Sequence, residues 1–255
     1  MKKNYILIIG AALLLLTGCN ADDLSDRDDG IVPVRLSVSQ EATQTRAADG
    51  LYTATTGFDG GESVKVYVNS TSKSANYTVS TSDKTSLGGA ALYYPTTGDI
   101  NLFAVYPAAS ASSHTVKYDQ TTSANYKASD LMYAQKTVAQ ADKASTQNLE
   151  FSHQLVKLKV VIVKAADVSQ VTQVKMVNVN RTVSVTPGAS SMEVGDATAT
   201  PSDNADYYSS DNNSILISDI ESSSSSAQTY TYACVFPKNT WSGSDFIQVT
   251  ADGKP

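Results

Sequence analysis

Apolar residues in this chain recur at every second position, in short runs, and hardly ever at helical spacing. Residues 31–38, IVPVRLSV, set Val32, Val34, Leu36 and Val38 on one side and Pro33, Arg35 and Ser37 on the other. That is a strand with one face to bury, and its Pro suits an edge. The same period marks 64–68 (VKVYV), 171–179 (VTQVKMVNV), 181–185 (RTVSV), 230–236 (YTYACVF) and 246–250 (FIQVT). Residues 100–106 (INLFAVY) and 149–164 (LEFSHQLVKLKVVIVK) are denser, and the second is read as one long strand rich in β-branched residues. Segments 77–80, 91–94, 131–134 and 215–217 are weaker strand signals. Period-two patterning fixes a strand with two unlike faces, and Gly, Pro, Asx and Ser clusters at short intervals turn one strand into the next. The expected class is all-β, built of antiparallel sandwiches.

The breaks between runs organise the chain. Residues 40–50 (QEATQTRAADG) lose the alternation and read as an exposed loop. Residues 110–123 read as a loop or weak hairpin, 187–211 as a long polar stretch, and 222–226 as a serine run suited to a loop. The run ends at 165–169, where the boundary between an N-terminal sandwich (30–165) and a C-terminal one (166–255) is placed.

The first 29 residues belong to neither. Lys2 and Lys3 precede an apolar stretch too short for a membrane span of about 20 residues. It closes on Leu16-Thr17-Gly18-Cys19, which resembles the bacterial lipobox. Residues 1–18 are then the signal peptide. The resemblance implies that the Cys19 thiol takes the lipid and that Cys19 becomes the first mature residue, carrying acyl chains such as palmitate. More than one chain is needed for stable anchoring, at about 0.8 kcal/mol per buried methylene. Residues 19–29 carry Asp22, Asp23, Asp26, Asp28 and Asp29. They form a solvated tether, and they also resemble the surface-export tags of Bacteroidetes lipoproteins.

Charge and side-chain chemistry exclude several functions. With 19 basic and 25 acidic residues the net charge is −6, which argues against nucleic acid as a partner. Once Cys19 is lipidated, Cys234 has no partner for an intramolecular disulfide, and its apolar alternating surroundings make it a small core residue. Of the two histidines, His114 falls in the Ser-rich loop and His153 at the head of the long strand, where it reads as a hydrogen-bonded structural residue. No G-x-S-x-G, C-x-x-C, H-x-x-x-H, G-x-G-x-x-G or Walker pattern occurs, so the sequence points to no enzyme, cofactor or metal site. Tyr93-Tyr94, Tyr207-Tyr208 and Trp241 could stack on a sugar, but packing beside turns accounts for them as well.

Four landmarks then stand in order. The lipobox is followed by an apolar strand and Thr45-Arg46-Ala47. YYPTTGDINLFAVYP lies at 93–107, FSHQLVKLKVVI at 151–162, and YACVFPKNTWSGSDFIQVTADGK at 232–254. As an ordered set they resemble the fimbrillin (Mfa-like and FimA-like) family of Bacteroidetes lipoproteins. The resemblance implies two tandem transthyretin-like β-sandwich domains and a place on the outer membrane or cell surface, in a fimbria. It implies a pilus subunit or tip, with a role in adhesion. An Arg-specific protease would cut after Arg46, leaving Ala47 first and removing strand 31–38. Other pilin subunits would then be joined head to tail by strand exchange, and the membrane would be a partner only through the lipid on Cys19 before trimming. In the family, the segment resembling residues 250–254 leads into further strands that form a donor arm. A sequence that stops at Pro255 is then either a fragment, or a terminal subunit with an incomplete second sandwich that accepts a strand without donating one. Two alternatives stay open: a surface lipoprotein that binds glycan or a host ligand, and an anchor subunit that keeps its lipid.

Overall fold

The structure, a computed structural model, describes residues 32–40, 57–195, 214–219, 229–238 and 246–252. Seven strands form the largest sheet: β1 (Leu36–Gln40), β2 (Ser63–Val68), β3 (Ser70–Val79), β4 (Leu87–Gly89), β5 (Ile100–Tyr106), and two more after a short interlude. The interlude holds β6 (Ser113–Thr115) and helix α1 (Ser123–Ser129). It is followed by β7 (Met132–Val138) and β8 (Gln147–His153). The order across the sheet is β1-β8-β7-β5-β2-β3-β4. Beyond β8 come β9 (Val156–Val163), β10 (Val171–Val177), β11 (Thr182–Pro187), β12 (Met192–Val194), β13 (Ser214–Leu216), β14 (Ser218–Asp219), β15 (Thr229–Phe236) and β16 (Ile247–Ala251). They build three-stranded sheets in the orders β13-β10-β16, β12-β11-β6 and β14-β15-β9. All-β architecture is as the alternation requires.

The dense run at β5 explains how the cores are placed. Ile100, Leu102 and Ala104 enter one hydrophobic cluster with Val64, Val66, Val68, Leu149 and Phe151. Phe103 and Val105 enter another, with Tyr67, Tyr133, Val174, Met176, Ile215, Cys234 and Val235. A strand covered on both faces has no polar side to keep, so its sequence becomes continuous rather than alternating. Tyr67 and Phe103 stack at 4.8 Å with ring planes 6° apart. This second cluster takes residues from both sides of position 165.

Several sequence expectations change in detail. The single strand expected over 149–164 is two strands in different sheets, β8 and β9. Leu149 and Phe151 are buried at odd positions, whereas Leu158, Val160 and Ile162 face the other core at even ones. One straight strand cannot put both sets on one side. The chain crosses at Gln154, whose N–H donates to the Leu131 carbonyl at 2.8 Å. The stretch read as a loop or weak hairpin, 110–123, contains β6, which pairs not within that stretch but with β11. The helix α1 that follows was not expected; Thr122 caps it, accepting from Asn125 N at 3.3 Å. Strand β12 emerges from the polar stretch 187–211 by pairing with β11. Strand β3 runs much longer than 77–80, because its exposed half, which lacks an apolar pattern, still pairs with β2 through the backbone. Asn69, at φ 60°, lies between these two strands. Its side chain donates to the Asp99 carbonyl and accepts from Asn101 N.

Candidate functional site

The site is the N-terminal segment and what it covers. The seven-stranded order begins with β1 and ends with β4, yet both ends meet. Beside β4, Ser86 bridges Ser37 and Tyr93 bridges Pro33, each antiparallel. Val38 N donates to Thr85 O at 2.7 Å, Val34 N to Leu92 O at 2.8 Å, and Tyr94 N to Val32 O at 3.0 Å. On the other side β1 pairs with β8 in register from Leu36 opposite Gln147 to Gln40 opposite Phe151. That pairing is parallel, an exception to the expected antiparallel sandwich. A hairpin cannot join parallel neighbours, so β1 and β8, 111 residues apart at Ser37 and Asn148, meet only through the tertiary fold. Gln147 N donates to Arg35 O at 2.9 Å and extends the ladder. The segment is thus a staple that closes the sheet on itself.

The alternation read from the sequence is realised. Val34, Leu36 and Val38 are 6%, 4% and 2% exposed and sit in the cluster with Leu149 and Phe151. Arg35 is exposed. The hydrogen-bonded ladder, β1, reaches Gln40, two residues past the expected end of the strand. Burying the three side chains stabilises by roughly 1.5–3 kcal/mol each before ordering costs.

The chain re-enters the described structure firmly. Phe58 packs edge-on to Tyr106 and Phe151, with centroids 5.6 and 5.4 Å away. Asp59 pairs with Lys127 of α1. The Glu62 carboxylate accepts from Asp59 N and Gly60 N, both at 2.7 Å. Along the chain, the seated segment 32–40 and this anchored stretch are joined by residues 41–56. Arg46 and Ala47 belong to that link, and they, like Cys19, lie outside the described residues. So do Tyr207, Tyr208 and Trp241.

The remaining residues singled out by sequence are placed as follows. Cys234 is fully buried, and burial pushes its thiol up to about 12. Tyr94 is in the core and Tyr93 is exposed. His153 Nδ1 lies 2.6 Å from Asp130 Oδ2, tying the end of β8 to the residues before β7. His114 is not in a loop: it is buried on β6, with Nδ1 2.7 Å from Ser110 Oγ and Nε2 2.8 Å from the Ser129 carbonyl. A carbonyl only accepts, so Nε2 carries the proton and Ser110 donates to Nδ1. Burial holds this imidazole below its ordinary value. Ser110 is buried too, so the pair ties three pieces of backbone together and presents no nucleophile to solvent. Among the described residues, no group of three or more His, Cys, Asp or Glu is placed to hold a metal ion, and no helix is long and apolar enough to cross a membrane.

One buried residue gave no sequence signal. Gln120 is 0% exposed. Its amide donates to Val235 O at 2.7 Å and accepts from Val235 N at 2.8 Å, substituting for a neighbouring strand at that point of β15. A single Gln in a polar loop carries no periodicity that would reveal this.

The fimbrillin-like family model matches residues 45–255. The chain belongs to the fimbrillin-like family. No curated protein sequence matches it significantly. Among solved structures, a Bacteroides ovatus protein assigned to cell adhesion is similar over 88% of this chain and 84% of its own, at 14% identity and a TM-score of 0.54. Two Porphyromonas gingivalis proteins are more distant. The tip fimbrial protein Mfa3, truncated at its C-terminus, has 13% identity over 88% of this chain and 79% of its own, with a TM-score of 0.43. The fimbrial anchor protein Mfa2 has 13% identity over 87% and 80%, with a TM-score of 0.38. At these values the likeness of fold rests on the Bacteroides ovatus structure, and the family assignment rests on the sequence model. The fimbrillin-like family consists of fimbrial structural and adhesin proteins of the cell surface.

Proposed function

We propose that this fimbrillin-like protein is a structural subunit or tip of a surface pilus with a role in adhesion. It reaches the outer membrane as a lipoprotein on Cys19, is trimmed by an Arg-specific protease after Arg46, and accepts an extended arm from another subunit in place of residues 32–40. The reading keeps the division into signal (1–18), tether (19–29) and two sandwiches meeting near 165. One observation carries it: the segment just before Arg46 is the strand that closes the sheet, held by main-chain bonds on both edges and by three core side chains. Losing it would leave an apolar groove with two unpaired backbone edges, which an incoming strand can fill by β-addition. Groove and arm are different surfaces, so repeated addition runs head to tail and builds an open filament. The pilus role itself draws on the family match.

The test is Arg46→Ala in the native host. The expected product is folded, lipidated, uncut and absent from pili. Incorporation at the wild-type level, or a mature N-terminus mapping away from Ala47 in assembled material, would overturn the mechanism.

A further inference from the structure

Apolar alternation alone does not make a groove selective, because any strand of a β protein offers it. The outward face of the seated segment carries more information. Asn148 lies directly opposite Ser37 in the register. Ser37 Oγ donates to Asn148 Oδ1 at 3.2 Å, and Asn148 Nδ2 donates to Ser39 Oγ at 2.9 Å. One amide therefore engages two hydroxyls spaced two residues apart, using its acceptor for one and its donor for the other. Asn148 is held at this place by its neighbours in the sequence. Leu149 beside it is buried in the core. Gln147 on the other side donates its amide N–H groups to the carbonyls of Asp142 and Ser145, at 2.8 and 3.2 Å, and so fixes the start of β8. Direction is specified as well. Arg35 O, Val38 N and Val34 N meet Gln147 N, Thr85 O and Leu92 O respectively while Val34, Leu36 and Val38 all point inward. That set of partners goes with a strand parallel to β8 and antiparallel to the stretch beside β4.

We propose that Asn148 is the specificity-determining residue of this groove. It selects an extended segment, parallel to β8, with apolar residues at three alternate positions and Ser or Thr at the two outward positions that follow the second and third of them. Residues 34–39, VRLSVS, are that pattern as seated in this chain. The proposal rests on the reading of 32–40 as an exchangeable strand, and it names the chemistry of the arm that would replace it.

The experiment uses the full chain with a site-specific protease sequence placed within 42–48 and cut after folding. Labelled ten-residue peptides of sequence 31–40 compete for the groove against the resident segment. The peptide with Ser37→Thr and Ser39→Thr is compared with the one carrying Ser37→Val and Ser39→Val, which has the same shape and strand preference but no hydroxyls. We expect the Thr peptide to bind roughly fivefold to twentyfold more tightly, from two exposed hydrogen bonds. In an Asn148→Leu chain the difference should vanish. A peptide of reversed sequence, equal in composition and alternation, should compete poorly. Equal binding of the Thr and Val peptides, or an unchanged preference with Asn148→Leu, overturns the proposal and leaves strand exchange standing. If no peptide exchanges, the original sequence included, the exchange reading fails instead. A double-mutant cycle in the uncut chain then decides the Asn148 contact alone: coupling between Asn148→Ala and the Ser37→Ala/Ser39→Ala pair supports it, and zero coupling overturns it.

Discussion

Leu36→Ala measures how firmly the closing strand is held. Leu36 is 4% exposed, lies in the middle of the segment, and belongs to the cluster containing Leu149 and Phe151. The change removes three carbon groups, about 2.4 kcal/mol at ~0.8 kcal/mol each. The space left behind is bounded by β8 and by the bonded stretch beside β4, which limits collapse and adds a cavity cost. The total should be about 3 kcal/mol, within the range of about 2–5 for such truncations. Arg35→Ala, one residue away on the exposed side, should cost no more than about 0.5 kcal/mol. Urea unfolding of the mature chain followed by circular dichroism reads both, with the slope checked for constancy. In a chain cut within 42–48, the same 3 kcal/mol weakens the hold on the segment by roughly a hundredfold. A Leu36→Ala effect below about 1 kcal/mol, or one equal to that of Arg35→Ala, would show that the strand contributes little to the folded state. The groove could then not be the site on which assembly depends.

Three other outcomes are expected. Cys19→Ala should abolish acyl labelling and move the protein out of the membrane fraction; retention there with normal labelling would refute lipidation at this residue. Gln120→Leu leaves the N–H and carbonyl of Val235 buried without these partners, at about 1–3 kcal/mol each, so thermal melting should show a loss of several kcal/mol despite the more apolar side chain. His114 has its imidazole lowered from an ordinary 6.5 chiefly by burial, with the hydrogen bond to the Ser129 carbonyl and then Asp130 acting to raise it and Lys117 to lower it further. The unfolded chain therefore binds this proton more readily than the folded one. The stability contributed by His114 is complete above about pH 6.5 and is lost as pH falls from there towards the lowered folded value. Stability measured from pH 8 to 5 should fall in that window, and less steeply in His114→Gln; an unchanged slope in the variant would assign the loss elsewhere.

Local chemistry was sufficient for the strands and for their inward faces. Alternation at 31–38 correctly put Val34, Leu36 and Val38 inside, because a strand's period of two leaves no other way to bury them together. Cys234 was legible as a core residue for the same reason. The parity change between Phe151 and Leu158 was present in the sequence too. It became meaningful only when the two segments were seen to serve different cores. The helix at 123–129 and strand β12 were too short and polar for a periodic signal to stand out. What tertiary structure alone decided is who meets whom. The parallel pairing of β1 with β8, the closure of the sheet at residues 85–94, and the bonds between Gln120 and Val235 join positions far apart in the chain. Backbone hydrogen bonds are the same for every residue type except proline, so a sequence states that a strand must pair without stating with which edge. The sequence determined that one face of residues 31–38 must be covered, and the fold determined that the ladder runs on to Gln40 and that covering this segment closes a sheet whose two edges meet nowhere else among the described residues.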